Sequence, residues 1–258
     1  MKNIAEFMSG FNFNPELAGQ ISCEREMFLF NRQGEIVPWA PKALQLLDDP
    51  SMCFELSACQ IESRVGPVSI ESLNEDARRQ QAFISSKLAQ AGMSVRYLSV
   101  APENMPLDVY PDARYLGIAD RISPNALISA CRVAGTHFHV GMPDWETALE
   151  VYNRVVGEID YLINLGNRTN GERIRIYAGM AKDFMPRTYR SVDDLFDNFC
   201  LNGLADNPRG CYHLIRISVH GTIEFRMFDN TDDPDDIDFW GRSCLEVCGD
   251  FAKNLAGV

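Results

Sequence analysis

The sequence predicts an α+β protein in which a sheet is covered by helices on one face. Strand-like runs with period-two patterning alternate with long amphipathic helical stretches. Two strand-like runs flank His220-Gly221, the two-residue turn of an antiparallel hairpin. Three strands carry polar residues two apart, Glu24/Glu26, His137/His139 and Glu224/Arg226, opposite a largely apolar face.

Taken in order, Ile21–Phe30 (ISCEREMFLF) reads as a strand. Ser22, Glu24, Glu26 and Phe28 point one way, and Cys23, Arg25, Met27 and Leu29 the other. Asn31–Gly34 is a turn from which Glu35–Val37 returns as a short paired strand, and Pro38 and Pro41 break the pattern. Cys53–Val65 is mostly extended and holds Glu55 and Glu62. A regular strand would aim these two at opposite faces, so both reach one site only through a bulge or bend. Ser72-Leu-Asn-Glu75 has the form of a capping box, and Leu73, Ala77, Ile84, Leu88 and Ala91 keep helical spacing to a stop at Gly92.

Ser94–Val100 is a further strand, and Ala101–Arg121 is loop-rich, with Pro102, Pro106 and Pro111. Ser123–Val133 is helical and leads into Ala134–Met142, the strand of His137 and His139. Pro143-Asp144 opens a long helix with Leu149, Tyr152, Val156, Ile159 and Ile163 on its buried stripe. Gly166–Gly171 is a polar loop, and Arg173–Tyr177 is short and strand-like. Ser191-Val-Asp-Asp194 caps a short helix ending near Gly203. Tyr212–Val219 and Thr222–Phe228 are the hairpin strands. The acidic run Asp232–Asp236 opens a last helix, Ile237–Leu255.

Composition bounds the partners. With 24 basic against 36 acidic residues, the net charge is −12, which argues against nucleic acid or an anionic membrane as the main partner. Metal ions standing between would still admit a phosphorylated ligand. Met1–Gln20 has neither the basic region nor the apolar core of a signal peptide, and no apolar run approaches the roughly 18 residues of a spanning helix. The eight cysteines include no CxxC pair. The expectation is a cytoplasmic protein with reduced, mostly buried thiols.

Taken singly, each polar pair reads equally well as a solvated strand face or as satisfied imidazoles. Three such strands in one chain point further. Several carboxylates with one imidazole suit Mg²⁺ or Mn²⁺, hard cations that leave positions for phosphate oxygens. Arg226 beside them is the fixed cation that a transferring phosphoryl group requires. The chain has no GxSxG, no Cys–His nucleophile pair, no GxxxxGK[ST] loop and no Rossmann glycine pattern.

Glu-x-Glu at Glu24–Glu26, His-Phe-His-Val-Gly at 137–141 and Thr-Ile-Glu-Phe-Arg-Met-Phe-Asp at 222–229 resemble the ATP-dependent carboxylate–amine ligases. The branch is similar to type 2 glutamate–cysteine ligase, within the glutamine synthetase-like superfamily. Arg114-Tyr115 and the Thr169–Arg175 segment extend the resemblance, which runs in order over Ile21–Leu255.

The resemblance implies a largely antiparallel sheet with an open, acidic catalytic face, in a single catalytic domain over residues 1–258 that is shorter at its C-terminus than typical members. It implies Mg²⁺ or Mn²⁺ ligands at Glu24, Glu26, Glu55, Glu62, His137 and Glu224. His139 would approach ATP, and Arg226 would neutralise the γ-phosphoryl group. Glu55 and Glu62 would also contact the amino substrate, and Arg175 would orient a substrate carboxylate or phosphate. The implied activity joins an amino-acid carboxylate, glutamate for example, to an amine such as cysteine through an acyl phosphate. The implied partners are these small molecules, with no nucleic acid, no membrane and a homo-oligomer as an open alternative. A metal- and ATP-binding regulatory protein and a guanidino-type phosphotransferase are the competing readings.

Overall fold

The computed structural model describes residues 3–181 and 183–249. The chain begins with α1 (Ile4–Met8), β1 (Ile21–Phe30), α2 (Ala40–Leu47), β2 (Met52–Phe54), β3 (Gln60–Val68), α3 (Ile70–Gln90) and β4 (Ser94–Arg96). It continues through α4 (Ala113–Ala119), α5 (Pro124–Arg132), β5 (Thr136–Gly141), α6 (Trp145–Val156), α7 (Ile159–Gly166) and α8 (Glu172–Met180). The last elements are α9 (Val192–Leu201), β6 (Ile215–Ser218), β7 (Thr222–Phe228) and α10 (Pro234–Cys248).

The ten-residue β1 is the axis of a seven-stranded sheet of order β2-β3-β1-β5-β7-β6, with β4 on the far end of β1. Every pairing is antiparallel. Residues 21–25 of β1 pair with β5, and residues 28–30 pair with β4. One face is apolar, as the alternation predicts. Ile21, Cys23, Phe138, Val140, Ile223 and Phe225 pack there against Leu73 and Ala77 of α3, Val151 and Val155 of α6, Leu162 of α7, and Trp240 and Cys244 of α10. Trp240 stacks on Phe228 with ring centroids 5.3 Å apart. This burial is the main source of stability, at about 25 cal/mol per Å² of apolar surface removed from water.

The α+β architecture, the antiparallel sheet and its helix-covered face match the expectation. Several element readings do not. The helix over residues 145–163 is two helices, because Gly157, a poor helix former, ends α6 and lets α7 turn towards β7. There Gly166 lies against Phe228, where a Cβ would strike the Phe228 backbone and ring. The long helix α3 starts one turn early, with Ser69 rather than Ser72 at its N-cap.

Arg173–Tyr177 lies in a helix and not a strand. Asn170 (φ 53°) and Gly171 (φ 79°) reverse the chain so that it enters α8. Arg173 and Tyr177 are four apart, and over so short a stretch a period of two and a helical repeat of four select the same residues. The Ser94–Val100 strand is confined to Ser94–Arg96, and Ala101–Arg121 contains α4. Glu35–Val37 contributes only a bridge, Phe30 to Ile36. In the last helix, the stretch beyond Gly249 lies outside the described residues. No helix among the described residues is long and apolar enough to cross a membrane.

Trp240 is fully buried, so Trp240→Ala is expected to cost about 3–5 kcal/mol. Trp240→Phe keeps a ring on Phe228 and removes an indole N–H that has no partner; its expected cost is below about 1.5 kcal/mol. Urea unfolding of both variants measures the difference as a shift in midpoint at constant slope.

Candidate active site

The sheet register alone assembles the site. Across β1 and β5, Glu24 faces His137 and Ser22 faces His139. Across β1 and β3, Glu26 faces Glu62 and Glu24 faces Arg64. His139 then faces Glu224 across β5 and β7, and Glu224 faces Arg216 across β6 and β7. Directly opposed side chains lie about 5 Å apart, so these residues form one continuous band on the open face. Glu55 joins them without a bulge. It leaves β2 after Phe54 in a loop held by Tyr110 N–H to Leu56 O (2.9 Å) and Ala58 N–H to Asp108 O (2.8 Å).

The band floors a cavity of about 250 Å³, walled by α4, α5 and α8 and by the β6–β7 hairpin. All predicted site residues except Arg175 line it: Glu24, Glu26, Glu55, Glu62, His137, His139, Glu224 and Arg226. Arg175 is 74% exposed, near Glu172 on the outside of α8. Because that segment is helical, Arg173 turns inward in its place. Its Nε donates to Ala134 O (2.8 Å) and its terminal nitrogens donate to Arg226 O (3.2 Å). Gly135 leaves the room; a Cβ there would strike the Arg173 guanidinium.

The carboxylates form two overlapping groups that share Glu62. Candidate ligand atoms of Glu24, Glu62 and His137 lie within 4.8 Å of one another, and so do those of Glu26, Glu55 and Glu62. Burial and the neighbouring Glu24 and Glu55 push Glu62 well above the usual carboxylate range. Burial and Glu26 push Glu55 up to about 8. Burial opposes ionisation of Glu24 too, but His139 and His137 outweigh it and hold that carboxyl well below the usual range.

The donor set fits divalent cations. It is oxygen-rich, it is too crowded to ionise fully unaided, and it includes His137, whose buried Nδ1 has no hydrogen-bond partner. Glu24, Glu26, Glu55, Glu62 and His137 could therefore hold Mg²⁺ or Mn²⁺.

Glu224 stands outside both groups. Its Oε2 accepts from Arg216 Nε (2.6 Å), and its Oε1 accepts from Arg216 Nη2 (2.9 Å) and Arg226 Nη1 (2.5 Å). Burial raises its pKa, but Arg216 and Arg226 overcome that and hold it far below the usual range. Glu224, for which the sequence resemblance implies a ligand role, here clamps two arginines, and Arg216 takes both of its oxygens across the hairpin.

Sequence reasoning missed Arg216, Arg64 and Arg173. The two-residue turn expected at His220-Gly221 would set Ile217 opposite Glu224. The turn instead takes in Val219 as well, and this one-residue shift sets Arg216 opposite Glu224. Arg64 shares the parity of Glu62 on β3 and donates to it at 2.8 Å.

No family model matches the chain. In sequence it is 26% identical over 140 residues to a putative glutamate–cysteine ligase 2 of Herpetosiphon aurantiacus, covering 54% of this chain and 34% of that protein. It is 24% identical over 209 residues to a putative glutamate–cysteine ligase 2 of Roseiflexus sp. strain RS-1, covering 72% and 54% respectively. It is 24% identical over 241 residues to a glutamate–cysteine ligase of Natronomonas pharaonis, covering 85% and 66%. The chain therefore spans about a third to two-thirds of the length of these curated relatives. Its fold matches a bifunctional glutathione synthetase from Pasteurella multocida with a TM-score of 0.59 and 13% identity, over 90% of this chain and 38% of that one.

The fold, α+β with an antiparallel sheet, is similar to that of this ligase. In sequence the chain is similar to glutamate–cysteine ligases, putative type 2 members among them, the branch its motifs resemble.

Two outcomes follow from the crowded carboxylates. A folded pKa of about 8 against an ordinary 4.5 means that the stability linked to neutral Glu55 is complete below pH 4.5 and lost as pH rises towards 8. Glu62 acts with the same sign, whereas Glu24, held low, acts only below this window. In EDTA the thermal midpoint is therefore expected to fall from pH 5 to pH 8, with Mn²⁺ restoring it at pH 8; a flat EDTA profile would contradict the crowding. Glu62→Gln, which keeps an acceptor for Arg64, is expected to raise the midpoint in EDTA at pH 8 and to abolish the rise with Mn²⁺. Differential scanning calorimetry reads both effects.

Proposed function

We propose that the chain is an ATP-dependent ligase that joins an amino-acid carboxylate to an amine through an acyl phosphate, with glutamate and cysteine as the first pair to try. The observation that carries this reading is the single polar band. In it, a buried carboxylate group suited to divalent cations adjoins two arginines locked onto one glutamate. The names of the curated relatives point the same way.

Bound divalent cations would offset the charge of the nucleotide phosphates and polarise the transferring group. The remaining work falls to positioning and electrostatics. Arg226 is held from two sides, by the Glu224 carboxylate (2.5 Å) and by the Tyr177 hydroxyl (3.4 Å). Its guanidinium is therefore set before phosphate arrives and needs little reorganisation as charge builds up on a phosphoryl oxygen. Arg216 is held likewise by Glu224 and by the Cys211 carbonyl (2.5 Å). Glu24, ionised beside His139 and His137, supplies a fixed negative charge at the centre of the band.

The test is ADP release from ATP with Mg²⁺ or Mn²⁺, dependent on both a carboxylate and an amine, with the amide identified by mass spectrometry. Glu24→Gln and Arg226→Met are each expected to lower the rate by roughly 100-fold or more with the far-ultraviolet circular dichroism unchanged. Metal-dependent ATP binding without ADP release in any mixture would replace this reading with a binding role. ADP release with a guanidino acceptor and no amide would replace it with a kinase.

A further inference from the structure

One wall of the cavity has a composition that the phosphoryl chemistry does not use. Between residues 116 and 133, the residues that line the cavity are Ile118, Ile122, Ala126, Ala130 and Val133, and none is polar. Ile118 lies on α4, Ile122 in the turn between the two helices, and Ala126 and Ala130 four apart on one face of α5. These four are half-buried and none of them belongs to a core cluster, whereas Val133 at the end of the wall is buried and joins the core. The adjacent side of α5 supplies the core instead, through Cys131 and Leu127. Helix α4 has no fully buried residue at all. An apolar face that is neither in the core nor on the outer surface is placed for a ligand.

Its position relative to the charged groups narrows that ligand. The wall ends at Val133, two residues before Gly135, whose N–H donates to Glu26 Oε2 at 2.7 Å. Tyr115, at the start of α4, feels the charge of Glu55. The wall therefore adjoins Glu26 and Glu55, whose carboxylate oxygens can accept from an amine N–H. On the far side of the cavity, Arg216 and Arg226 draw phosphate and carboxylate. Helix α8 fixes the wall from behind: Gly179 packs on Ser129 so closely that a Cβ would meet its hydroxyl.

We infer that this wall is a hydrophobic subsite for the amine substrate, favouring an aliphatic or aromatic group over glycine or cysteine. The inference rests on the ligase reading and names its second substrate class. With Mn²⁺ and ATP present, calorimetric titration compares isoamylamine with methylamine, and L-leucine with glycine and L-cysteine, while ADP release is followed in parallel. The apolar member of each set is expected to bind at least about 10-fold more tightly. Ala130→Phe, which fills the space, is expected to bring the ratio close to one. Ile122→Ser, which keeps the space and removes apolar surface, is expected to lower it several-fold.

Equal binding of small and apolar amines, no binding of any apolar amine, or a preference untouched by both variants would overturn the subsite. ADP release with cysteine or glycine at least as fast as with leucine would overturn the subsite and leave the ligase standing. The expected preference with no ADP release in any mixture would leave the subsite and overturn the ligase.

Discussion

The open face of the sheet buries more negative charge than its own cations neutralise, and the architecture of the site follows from that. Glu26, Glu55 and Glu62 converge within one coordination radius, yet only Glu62 has an arginine donating to it, Arg64 at 2.8 Å. Isolated buried carboxylates would cost several kcal/mol each. A protein has two ways to live with such a group: keep protons on it, or bring in cations. The raised pKa values of Glu55 and Glu62 are the first solution, and the suitability of the group for divalent ions is the second. The neighbouring Glu224 has the opposite fate, with two arginines in place and its proton lost far below neutral pH.

Such tension has to be borne by a rigid frame, and β1 supplies it from the other face. Arg25 is fully buried between Glu24 and Glu26 in sequence but on the opposite side of the sheet. Its terminal nitrogens donate to Gln81 Oε1 and to Ala77 O of α3, both at 3.0 Å, and its guanidinium stands over the Tyr97 ring. The strand is therefore fixed in rotation by α3 while the two glutamates beside Arg25 face the site. A one-residue slip of β1 would put Arg25 into the carboxylate band and the glutamates into the core, so the register is strongly specified.

What was legible in the sequence divides along the same line. The period-two strands could be read directly, and once β1, β5 and β7 were recognised their glutamates and histidines had to share a face. Glu55 and Glu62 were expected in one site, but the means was a loop tied to residues 108–110, a long-range contact that no local pattern reveals. Arg175 came from the resemblance of the Thr169–Arg175 segment, and a strand would have put Arg173 and Arg175 on one face; only the helical turn of α8 separates them and aims Arg173 inward. The cavity wall escaped notice altogether: Ile118, Ile122, Ala126 and Ala130 are unremarkable until α4 and α5 are set over the sheet.

The two histidines illustrate how the assembled charges sort residues that the sequence presents as equivalent. His137 and His139 sit two apart on the same face of β5, both almost fully buried. Burial lowers the pKa of His137, and Arg226 pushes in the same direction. Burial would lower that of His139 too, but Glu24 and then Glu224 outweigh it and raise it. A metal accepts only a neutral imidazole, so the field favours His137 as the ligand, with its ring between Glu24 and Glu26. His139 is instead favoured as a cation, its Nδ1 fixed by the Thr222 hydroxyl at 2.9 Å and its Nε2 facing Glu24 at 3.3 Å. One strand thus presents a metal-binding base and a positive charge side by side, and the difference comes from Arg226 near His137 and from Glu24 and Glu224 on either side of His139.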